Sequence, residues 1–115
     1  MTDPELLVAF GGAAGAITRY LIGEIIRTTA FPFATILVNV LGSFIVAIVL
    51  FGGFGADAVH LIGIGFCGAL TTFSTFSVQT MSLVEDRKWM EAGIFAIGTT
   101  IVAMLGFILG WLLVR

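Results

Sequence analysis

Four long, mostly apolar runs, at 6–26, 33–54, 59–84 and 90–114, leave this chain little else to be made of. A hydrocarbon core about 30 Å thick is crossed by an α-helix of about 20 residues, so each run is long enough to span it once. Only 10% of the residues are charged and 59% are hydrophobic, and the mean hydropathy is +1.17. A water-soluble domain carries about a quarter of its residues as charges. Lipid is therefore the solvent for most of this chain.

The segments 27–32 and 55–58 and the cluster Glu85-Asp86-Arg87-Lys88 are too short to join anything but antiparallel neighbours. The expected fold is all-α, a single four-helix transmembrane domain over 1–115 with both chain ends on one side. No repeat, linker or low-complexity stretch divides it. The first run is expected to stay in place, since acidic Asp3 and Glu5 precede it where a secretory leader has basic residues. Arg27, Arg87, Lys88 and Arg19 lie toward one side and Arg115 toward the other, a slight bias that sets the termini outside. Trp89 and Trp111 fall at opposite ends of the fourth run, where interfacial aromatics belong.

Several function classes are disfavoured. A net charge of −2 with a pI near 5.0 offers no basic surface for nucleic acid. Cys67 is the sole cysteine, so it forms no intrachain disulfide and reads as a small packing residue. With one histidine, His60, at the start of the third run, and no buried carboxylate cluster, a membrane metalloenzyme or protease has little support. Fifteen glycines, many of them inside the runs, suit close helix contact instead, as in Gly11-x-x-x-Gly15 and Gly106-x-x-x-Gly110.

The third run holds the anomaly. From Thr71 to Ser77 the sequence Thr-Thr-Phe-Ser-Thr-Phe-Ser sets five hydroxyls around Phe73 and Phe76, too polar for a helix that only faces lipid. One hydroxyl is easily absorbed by a bond back to the helix or across to a neighbour; five together are not. Phe73 and Phe76 share a helix face, which serves packing, or presents weakly positive ring edges that join the hydroxyls in holding a dehydrated anion. Asn39, an amide in the second run, must find a partner or face water, as an interhelical staple or as a donor to a permeating anion. Arg19, two thirds along the first run, is a functional candidate or a residue that snorkels to the headgroups, with Glu24 close by. Four short helices have little room for a lumen of their own, so transport implies pairing with a second copy.

The blocks Gly11 to Tyr20, Thr35 to Phe44 and Gly65 to Ser77 closely resemble, in order and spacing, the CrcB/Fluc family of fluoride channels. The resemblance covers essentially the whole chain. It implies an antiparallel, dual-topology homodimer in a prokaryotic cell membrane, with two narrow pores passively exporting fluoride and so protecting the cell from it. It implies that Phe73 and Phe76 present ring edges to fluoride, that Asn39, Ser74, Thr75 and Thr99 line the pore, and that Arg19 and Glu85 lie near a vestibule. It implies a third helix interrupted near its middle, whose carbonyls at Gly68 and Thr71, taken from two copies, hold a structural Na+ at the dimer centre. Ala103 departs from the pattern, standing where a further hydroxyl is expected one turn after Thr99.

Two other functions fit the outline. A four-span multidrug or cation exporter normally uses a carboxylate deep in its first span. Glu24 lies too near the end for that. A non-transporting membrane adaptor explains the glycines but not the alternation of hydroxyls with Phe.

Overall fold

A computed structural model describes residues 3–26 and 32–115. Most of the segment 27–32, and with it Arg27, lies outside the described residues. Helix α1 runs Pro4–Ile25, with Pro4 in the first turn and the Asp3 carboxylate accepting a hydrogen bond from the Glu5 N–H. That cap starts the helix two residues ahead of the apolar run. Helix α2 covers Phe33–Phe51 and ends at Gly52-Gly53, where Gly53 takes φ +79°, a left-handed turn that glycine enters without steric cost.

The third span, Ala56–Glu85, is two helices rather than one. Helix α3 occupies 56–70 and is π-helical over Val59–Cys67; helix α4 occupies Ser74–Glu85. Helix α5, Trp89–Val114, completes the four spans, and all the described secondary structure is helical. Between α4 and α5 the N–H of Lys88 bonds to Leu83 O and that of Arg87 to Val84 O, with Arg87 at φ 60°. This pairing closes a helix end on a left-handed residue.

Both small-residue motifs are spent inside the chain. A Cβ at Gly11 would run into the Leu61 carbonyl and one at Gly15 into that of Phe66, so α1 lies backbone to backbone against α3. A Cβ at Gly110 would stand 2.5 Å from Phe44 O, and one at Gly106 3.2 Å from Val40 O, so α5 lies equally close to α2. Packing at this range takes the place of the hydrophobic drive that lipid cannot supply. A small apolar cluster of Leu83, Ala92 and Phe95 sits between α4 and α5. Most large apolar side chains, Phe10, Ile25, Met90 and Ile97 among them, point outward, as lipid solvation requires.

Candidate functional site

The site is built around the interruption of the third span. Thr71 and Thr72 are β-branched and carry hydroxyls that compete for backbone bonds, so the helix is locally weak here. Thr71 turns extended, at φ −77° and ψ 153°; Phe73 is back at φ −89° and ψ −35°, and α4 begins at Ser74. Freed backbone groups in hydrocarbon each cost several kcal/mol unless something receives them. Asn39 receives two: its Oδ1 accepts from the Thr72 N–H at 2.8 Å, and its Nδ2 donates to the Thr72 carbonyl at 3.3 Å. The Thr72 hydroxyl in turn accepts from the Thr75 N–H at 3.1 Å, capping the new helix.

Upstream, the Thr71 N–H and hydroxyl both donate to the Cys67 carbonyl, at 3.0 and 2.9 Å. No hydrogen bond reaches the carbonyls of Gly68 or Thr71 from the described residues. The break therefore carries two kinds of unspent group. Carbonyl oxygens end α3, and the N-terminal amides of α4, the positive end of its dipole, begin the other half.

A cavity of about 450 Å³ opens on the break, and Asn39, Gly68, Thr71, Phe73, Phe76 and Thr99 all line it. Residues read from the sequence for two different tasks thus meet in one place. Phe73 and Phe76 lie with ring centroids 6.0 Å apart, and Phe76 stacks in turn on Phe95 at 5.3 Å. Phe95 is fully buried, whereas Phe73 is 79% exposed on the single chain, so the aromatic row is anchored at one end and open at the other. Thr99 is 3% exposed and its hydroxyl has no partner among the described residues, an orphan that costs roughly 1–3 kcal/mol until something occupies the cavity beside it.

The remaining sequence candidates are distributed differently. Arg19 and Thr75 line a second cavity of about 640 Å³, together with Thr35, Thr72 and Gln79. Ser74 lines neither; it is exposed, with its hydroxyl 3.4 Å from that of Thr72. Glu85 is exposed at the end of α4 and lines none of the described cavities.

Sequence reasoning counted Thr72 only as one hydroxyl of the run and passed over Thr35 and Gln79. Thr72 is 8% exposed and joins the two cavities, and the Thr35 hydroxyl donates to Gln79 Oε1 at 2.5 Å. A usable signal existed, since Thr35 precedes Asn39 and Gln79 follows Thr75 by four residues, one turn along the same helix faces.

The model of the family described as CrcB-like protein, Camphor Resistance (CrcB), matches residues 6–111. The chain is 43% identical over 114 residues to a protein of Halobacterium salinarum named fluoride-specific ion channel FluC 1, covering 99% of this chain and 96% of that one. It is 41% identical over 109 residues to fluoride-specific ion channel FluC 2 of Haloarcula marismortui, covering 95% and 92%. To fluoride-specific ion channel FluC of Shewanella baltica it is 47% identical over 94 residues, 76% of each chain.

Proposed function

Because the chain belongs to the CrcB family, we propose that it is a fluoride-specific channel, a multi-pass protein of a prokaryotic cell membrane that lets fluoride leave the cytoplasm down its gradient. It converts no substrate; it lowers the barrier to moving a small, strongly hydrated anion through hydrocarbon. The observation that carries this reading is the helix break held by Asn39 beside a cavity with an orphaned, buried hydroxyl at Thr99.

A dehydrated fluoride needs donors, and the break offers them as neutral amide and hydroxyl groups. Asn39 keeps one Nδ2 hydrogen after bonding Thr72, and Thr99 keeps its hydroxyl proton. Phe73 and Phe76 add ring edges, and the Ser74 and Thr75 hydroxyls lie at the adjoining helix start. The N-terminus of α4 favours negative charge beside them. Arg19, in the second cavity, draws anions to the pore mouth, with Glu85 at the same end of the bundle. The exporter alternative loses support, because the described cavities are lined by no Asp or Glu that could exchange a proton for a cation.

The functional unit is an antiparallel homodimer, each copy being one four-span domain. Two features support this: Phe73 is largely exposed on the single chain, and the cavity at the break is open rather than enclosed. A structural Na+ fits the same arrangement. Free carbonyls at Gly68 and Thr71 are the hard oxygen donors such a cation prefers, and two copies facing each other would contribute four. When bound, it would neutralise these oxygens and tie the copies together. Purified protein in liposomes tests the whole reading. Fluoride efflux with chloride retained is expected, and vesicles that pass chloride as fast as fluoride would overturn it.

A further inference from the structure

Several hydroxyls inside these helices hide. Thr18, Thr71, Thr80 and Thr100 each donate to the carbonyl four residues back, at 2.8 to 2.9 Å. A bond of that kind removes the proton from any other use. Ser43 does not follow the pattern. It is half-buried in the middle of α2, makes no hydrogen bond to the described residues, and lines the same cavity as Asn39. It stands one helical turn after Asn39, on the same face.

On helix α5, Thr99 and Ala103, one turn apart, line this cavity too. Close approaches of Val40 to Gly106 and of Phe44 to Gly110 show that α2 and α5 run parallel and put Asn39 about level with Leu105, so Thr99 and Ala103 precede Asn39 along the cavity and Ser43 follows it. Beyond Ser43 the lining continues with Val46 and Gly63, which carry no polar side chain. Thr100 lines the cavity as well, but its proton is committed to Ala96 O. One turn past Asn39, the cavity therefore meets a free hydroxyl on α2.

We propose that Ser43 is a further donor on the anion path, one turn past Asn39 on the same face of α2. The proposal rests on the fluoride-channel reading and extends it to a residue with no role in it so far. Between Asn39 and the apolar lining at Val46, it is the α2 side chain with a proton to offer an anion.

Fluoride efflux from proteoliposomes, read with a fluoride electrode, tests this on wild type, Ser43→Ala and Thr100→Val. Ser to Ala removes one oxygen and little volume, so folding is followed by gel-filtration elution and thermal melting. Ser43→Ala is expected to slow efflux by about tenfold or more at an unchanged melting temperature, the effect of one lost donor. Thr100→Val removes a hydroxyl from the same cavity whose proton is already spent on Ala96 O, and is expected to leave efflux near wild type. Wild-type efflux in Ser43→Ala overturns the proposal. So does an equal loss in Thr100→Val. Both outcomes leave the channel reading standing as long as the wild type passes fluoride. A wild type no faster than empty vesicles overturns that reading, and this proposal with it.

Discussion

Asn39, in the middle of one span, closes a ring of two hydrogen bonds on the backbone of Thr72 in another, accepting its N–H and donating to its carbonyl. One side chain thereby does for the broken helix what the next turn of helix would have done. It does so beside a cavity, so the residue that holds the break open also lines what the break exposes.

Asn39→Asp keeps the acceptor for the Thr72 N–H, removes the donor to its carbonyl and adds a negative charge on an anion path. Fluoride efflux is expected to fall by at least about a hundredfold, and the melting temperature to fall as well. Efflux near wild type would return Asn39 to a purely structural role.

Thr99→Val separates function from stability. Removing an unpartnered buried hydroxyl relieves a desolvation cost, so the variant is expected to melt at the wild-type temperature or higher, by the equivalent of up to about 1 kcal/mol. Its fluoride efflux is expected to drop about tenfold or more for want of the donor. A parallel fall in both quantities would mean that the hydroxyl is used within the protein.

Phe76→Ile retains an apolar side chain but loses the ring that stacks on Phe95 at 5.3 Å. The stability cost is expected to be about 0.5–1.5 kcal/mol from the lost aromatic pair. A much larger proportional loss of efflux is expected, and comparing the variant with Phe95→Ile separates the two effects. Phe95 is fully buried and lines none of the described cavities, so its substitution is expected to lower stability more than efflux per folded molecule.

Glycine positions in α5 are expected to respond with opposite sign. Gly98→Ala places a Cβ in open space and is expected to stabilise the helix by about 0.5–1 kcal/mol. Gly110→Ala sets a Cβ 2.5 Å from Phe44 O and is expected to push α2 and α5 apart, reducing the yield of folded protein. Melting curves of the two variants in the same detergent check the prediction.

The number of spans, their alternation and the lipid around them were legible in the sequence, because apolar length, short connections and the scarcity of charge are properties of the chain alone. The glycine spacings announced close helix contact in the same way. Which helices they join was not readable: Gly11 and Gly15 meet α3, and Gly106 and Gly110 meet α2, both within one chain. The hydroxyl-rich run after Leu70 identified the site for its polarity, but a free hydroxyl and a hidden one have the same letter. Only the folded backbone separates Thr100, whose proton is spent on Ala96, from Thr99, whose proton is not. The tertiary structure also decided the use of Asn39, since an amide's partner lies on another helix and hydrogen bonding acts over ångströms in space, regardless of separation along the chain.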